Sequence, residues 1–152
     1  LAELLALALL FALPREAALP VLFVAIAGVE EVAKSLHVYA GLHEGRLGAS
    51  RTLRGGLVLG ALAGLGFFVG EKAFVVVQVV GLSTVPLGEA TAATAGVLPT
   101  AGLLLAPLAL HAVTASLSAV GATRGLRGYL AGLVVAVVVH AGYNLAVVSR
   151  LA

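Results

Sequence analysis

Residues Tyr129–Ser149 read YLAGLVVAVVVHAGYNLAVVS, 21 positions without a Lys, Arg, Asp or Glu. A spanning helix needs about 20 mainly apolar residues. The polar exceptions include His140 and Asn144, four apart and so on one helix face. Working outward, runs of similar character cover about Ala18–Gly41, Leu57–Leu82 and Val97–Gly121. Leu1–Leu13 is apolar but short, is closed by Pro14, Arg15 and Glu16, and reads as the tail of a truncated helix. The expectation is an all-α fold: a polytopic transmembrane helix bundle with four full spans plus a partial N-terminal one. A single integral-membrane domain over residues 1–152 is expected, with no long linker, low-complexity tract or sequence repeat.

Composition agrees. Hydrophobic residues make up 61% and charged ones 11% of the 152, and the mean hydropathy is +1.15. An ordinary soluble domain has about 25% charged residues, so the expected solvent is a bilayer. A net charge of +2 gives no argument for nucleic acid. There is no Cys, so disulfides, thiol nucleophiles and Cys-rich metal sites are excluded. All seven acids are Glu, which excludes any two-aspartate intramembrane mechanism. With no Met present, Leu1 is not expected to be the translation start, and the chain is expected to be N-terminally trimmed. No cationic region precedes the first apolar run, so no signal peptide is read there.

Loop charges set an orientation. Leu42–Gly55 contains Arg46, Arg51 and Arg54, and Ala122–Gly128 contains Arg124 and Arg127, whereas Ser83–Gly96 has no Lys or Arg. The positive-inside rule places the first two in the cytoplasm and the third outside. Gly56, Gly60 and Gly64, like Gly66 and Gly70, recur every four residues and predict close helix approach.

The ionisable residues share one depth. Glu30, Glu31 and Lys34 lie in the first full run, Glu71 and Lys72 in the second, His111 in the third and His140 in the fourth. Each mid-bilayer charge costs about 2.5–3.5 kcal/mol on the insertion scale, on the order of 12–17 kcal/mol for all five charged groups. A small bundle carries that only if the groups pair, meet water or do chemistry. Glu30 and Lys34 are i,i+4, as are Phe67 and Glu71, while His111, Thr114 and Ser118 form a polar stripe. These faces are expected to meet around a wet cavity. Glu30–Lys34 and Glu71–Lys72 also read as plain ion pairs, and Glu31 as a structural acceptor. His37 and His43, near or in the basic loop, read as ordinary.

Known intramembrane chemistries narrow the choice. A zinc-binding H-E-x-x-H helix is absent: His43-Glu44-Gly45-Arg46-Leu47 ends in Leu and lies in a predicted loop. Ser116 and Ser118 lack a nucleophile motif. What remains is a Glu/Glu/His/His/Asn constellation.

Four short motifs follow in order, each on its own span. They are Glu30-Glu31-Val32-Ala33-Lys34, Gly64-Leu65-Gly66-Phe67-Phe68-Val69-Gly70-Glu71, His111, and His140-Ala141-Gly142-Tyr143-Asn144. On these residues the chain resembles the PrsW-type membrane proteases, related to the CAAX-processing and bacteriocin-processing (CPBP) glutamate proteases, over about Ala18–Ser149. It departs from the CAAX endopeptidases, which typically have E-E-x-x-x-R and a second-motif His where this chain has Lys34 and Glu71.

The resemblance implies an intramembrane endopeptidase acting on membrane-anchored protein substrates, such as a single-span anti-sigma factor, in a prokaryotic cell membrane. The expected mechanism needs no cofactor. Glu30 activates water, Glu71 is its acid–base partner, and His140 and Asn144 donate to the oxyanion. His111 orients the water or joins the oxyanion site, Lys34 holds Glu30 or Glu31, Glu31 braces the helix, and Phe67 supports. Three alternatives stay open: a zinc protease with Glu71, His111 and His140 as ligands, a non-enzymatic membrane scaffold subunit, and a haem or proton carrier using both histidines.

Overall fold

In a computed structural model, residues 14–47, 51–82 and 97–150 are described; side chains 15–16, 74–82 and 97–103 are not. Among the described residues there are four α-helices: α1 (Arg15–His43), α2 (Leu53–Leu82), α3 (Val97–Ala122) and α4 (Leu126–Ser149). No strand occurs among the described residues. At 1.5 Å per residue the helices are roughly 36–45 Å long, enough to cross a hydrocarbon core of about 30 Å.

The helices follow the sequence-predicted runs and extend a few residues beyond most of their ends. Among the described residues, three stretches are long and apolar enough to span: Leu53–Ala73, Leu104–Ala122 and Leu126–Ser149. Helix α1 is not among them, because Glu30, Glu31 and Lys34 interrupt its apolar run. The expected partial span Leu1–Leu13 and the loop Ser83–Gly96 lie outside the described residues.

Helix α3 is the centre of the bundle, packed extensively against both α2 and α4; α1 leans on α4 and meets α2 least. Large apolar side chains face outward along the bundle, among them Leu57, Leu62 and Val69 on α2 and Val134 and Val138 on α4. That exterior suits hydrocarbon rather than water.

The glycine row on α2 fixes the α2–α3 approach. A Cβ at Gly60 would strike the backbone of Ser116, and one at Gly64 the carbonyl of His111. Ser116 Oγ ties the same seam by donating to the Leu57 carbonyl at 3.2 Å. Gly66 and Gly70 differ from expectation. Among the described residues no atom lies within 4 Å of where their Cβ would stand, because their spacing puts them off this seam.

At the Arg-bearing end of the bundle, Val38, Leu42, Ala119, Ala122 and Tyr129 form a closed core. Ser35 Oγ donates to the Glu31 carbonyl at 2.6 Å, so Tyr129 OH, 3.1 Å away, donates to Ser35. Tyr39 stacks between Tyr129 and His43. This bolt joins α1 to α4 one turn from Glu31.

Candidate active site between four helices

Each helix contributes to one cluster. Helical spacing alone turns Glu31, Lys34 and Ser35 inward on α1, and all three are fully buried. Glu30 stands about 100° around the helix and is partly exposed, at 26%. The close α2–α3 seam at Gly64 brings Glu71, two turns along, beside His111. His140 comes from α4.

Glu31 is the hub. Its Oε1 accepts from Lys34 Nζ at 2.5 Å and from His140 Nδ1 at 2.7 Å. Its Oε2 is buried without a partner among the described residues. Lys34 Nζ also lies 2.8 Å from His111 Nδ1 and 5.0 Å from the centre of the Phe67 ring. Phe67 packs on His111 as well, with ring centres 5.3 Å apart. Of the two partners that the sequence offered Lys34, Glu30 and Glu31, the structure pairs it with Glu31. The i,i+3 partner points into the bundle with the lysine, and Glu30 does not.

The opposite ring edges face a cavity of about 240 Å³, lined among others by Glu30, Glu71, His111, His140, Tyr143 and Asn144. His111 Nε2 lies 2.8 Å from Glu71 Oε2, and His140 Nε2 lies 3.5 Å from Glu30 Oε2. The two rings meet edge to face at 5.3 Å. Lys72 Nζ bonds Glu71 Oε1 at 2.5 Å. Neighbouring positions diverge on a helix, but the four-carbon lysine stem bends back to close the gap.

All the residues singled out from sequence can thus be located. Glu30, Glu71, His111, His140 and Asn144 surround the cavity; Glu31, Lys34 and Phe67 stand behind its wall. Thr114 and Ser118 were expected to line a wet face. They are buried instead, with Thr114 donating to the Leu110 carbonyl and Ser118 Oγ unpartnered among the described residues. His37 is exposed, and His43 ends α1 rather than lying in a loop. Tyr143 was not singled out from sequence, although its position three after His140 puts it on the same helix face.

Glu30 and His140 suit a metal by both distance and donor type, and His111 by distance alone, since both its nitrogens already have partners. One ligand atom from each of Glu30, His111 and His140 lies within 4.8 Å of the others. Glu31 accepts at His140 Nδ1, which leaves a lone pair on Nε2 facing the Glu30 carboxylate. Two lone-pair groups 3.5 Å apart repel unless a cation or proton lies between them. The carboxylate–histidine arrangement behind the ring matches the usual support of a metal-ligating histidine. The ligand trio expected from sequence included Glu71. Here Glu30 takes that place, and Glu71 is occupied by His111 and Lys72.

Compared with known families, residues 2–152 match the sequence model of a family described as PrsW family intramembrane metalloprotease. No curated protein and no solved structure matches the chain. The description and the Glu/His trio both leave the expected cofactor-free site without support, and they favour the metal alternative.

Proposed function

The chain belongs to the PrsW family of intramembrane metalloproteases, an integral membrane protein and peptide hydrolase, and on that premise we propose that it cleaves membrane-anchored proteins in the cavity between Glu30, Glu71, His111 and His140. The carrying observation is that Glu30, His111 and His140 converge within 4.8 Å on a cavity at the helix mid-depth. A chain that paid the insertion cost of these charges only for stability would have no use for a cavity beside them.

Glu30 and His140 would hold the metal, since their facing atoms present open lone pairs. His111, the third by distance, directs Nε2 at Glu71. A bound divalent metal supplies a Lewis acid that polarises a carbonyl and makes water a better nucleophile. Glu71 takes the proton of the attacking water as its oxygen bonds to the scissile carbon. It then passes that proton to the amide nitrogen as the C–N bond breaks, giving a new carboxyl and a new amine. His111 Nε2–H and the Asn144 amide donate to the oxyanion.

This assignment moves the base from Glu30 to Glu71. It also removes His140 as oxyanion donor, because its hydrogen sits on Nδ1 and points to Glu31 behind the cavity wall, whereas the His111 hydrogen lies on the cavity side beside Glu71. The substrate class is a single-span protein of a prokaryotic membrane, an anti-sigma factor being one example. The test is cleavage of a panel of single-span substrates by purified protein in liposomes, with metal analysis of the same sample. Chelation should abolish cleavage and zinc restore it. Cleavage that survives complete metal removal overturns the metal assignment, and no cleavage of any substrate overturns the protease reading.

A further inference from the structure

Lys34 is 1% exposed and does not line the cavity, yet it touches both halves of the site. Its ammonium has three hydrogens and no lone pair. At 2.8 Å from Lys34 Nζ, His111 Nδ1 is therefore the acceptor. A ring that accepts at Nδ1 carries its hydrogen on Nε2, and that atom points at Glu71 Oε2, 2.8 Å away. A carboxylate oxygen accepts only, so both edges of His111 give the same answer. At His140 the polarity reverses. The buried Glu31 carboxylate takes the hydrogen on Nδ1 and leaves Nε2 with a lone pair. Phe67 covers the ammonium at 5.0 Å, which keeps water from competing for it.

We propose that the buried Glu31–Lys34 pair is a positioning device that gives the two histidines opposite hydrogen-bond polarity, His111 facing the cavity as an N–H donor and His140 as a lone pair. Two chemically identical side chains are thereby split into different roles, one for an oxyanion and one for a metal. The use of that split rests on the proteolytic reading above; the split itself does not. Lys34 accomplishes it without touching substrate.

Histidine tautomers are assigned from their partners, and nitrogen NMR reads them directly. The measurement uses the full chain in micelles, metal-free, with 15N-labelled histidine and with H111Q and H140Q to identify the signals. His111 should show a pyrrole-like Nε2 and a pyridine-like Nδ1, and His140 the reverse. Because Glu71 also holds the Nε2 hydrogen of His111, the test is made in a Glu71→Gln background, where adding Lys34→Met should shift His111 toward an averaged or inverted pattern while His140, still held by Glu31, keeps its own. Lys34→Arg, which retains a cationic donor, should preserve both. A wild-type His111 with its hydrogen on Nδ1, or a pattern untouched by Lys34→Met in the Glu71→Gln background, overturns the proposal. If Lys34→Met does not fold, the wild-type spectrum decides alone. Loss of the protease reading would appear as absent cleavage with this spectrum intact; the wrong tautomer beside normal cleavage would sink only the present inference.

Discussion

Glu31, with no exposed side-chain surface, accepts a 2.7 Å hydrogen bond from His140 Nδ1 across the α1–α4 interface. The neighbouring acid Glu30 instead reaches the cavity from the same helix. Two adjacent glutamates thus have separate tasks, one orienting a ring and the other facing the ring's free edge. The division follows from the roughly 100° turn between successive helical positions.

The first prediction concerns the buried pair. Glu31→Leu leaves the Lys34 ammonium without its carboxylate in the bundle interior, and removing one partner of such a pair costs about 3–5 kcal/mol. Unfolding of the variant in micelles should reflect that loss. The double change Glu31→Leu/Lys34→Met should recover a large part of it, because no lone charge remains. A double variant no more stable than the single one would show that the cost is steric.

The second uses the glycine row. Gly64→Ala puts a methyl group against the His111 carbonyl, so α3 must retreat. Overpacking of this kind costs about 1–3 kcal/mol, and it should also lower cleavage by displacing His111. Gly66→Ala meets no atom within 4 Å among the described residues and should leave both stability and cleavage near wild type. Equal effects at the two positions would contradict the α2–α3 register.

The third separates chemistry from metal binding. Glu71→Gln removes the proton acceptor and should reduce cleavage by roughly 10²–10⁴, the usual range for a general base, with metal content unchanged. His140→Ala should lose metal and activity together. Metal analysis beside the cleavage assay checks both. Metal loss in Glu71→Gln would return Glu71 to the ligand set.

The fourth tests orientation. The chain has no native Cys, so single cysteines label cleanly. Cysteines at Glu44 and Arg124, next to the Arg-bearing turns, should resist a membrane-impermeant reagent in intact cells and react after lysis. Labelling of either in intact cells would invert the topology.

The sequence by itself determined the solvent, the helices and the depth of the site. Long apolar runs can satisfy their backbone in a bilayer only as helices or closed barrels, and 20-residue lengths select helices. Ionisable groups in the middle of such runs are too costly to be incidental, so Glu30, Glu31, Lys34, Glu71, His111 and His140 stand out from the sequence alone. Only the tertiary structure decided which of them touch. Spacing along one helix left Lys34 free to pair with Glu30 or Glu31, and the choice went to Glu31 because His111 and His140 approach from other helices on that side. Glu30 replaced Glu71 in the possible metal group for the same reason. Ligand geometry depends on how α1, α3 and α4 are rotated about their axes, and an almost uniformly apolar helix surface carries little signal for that rotation.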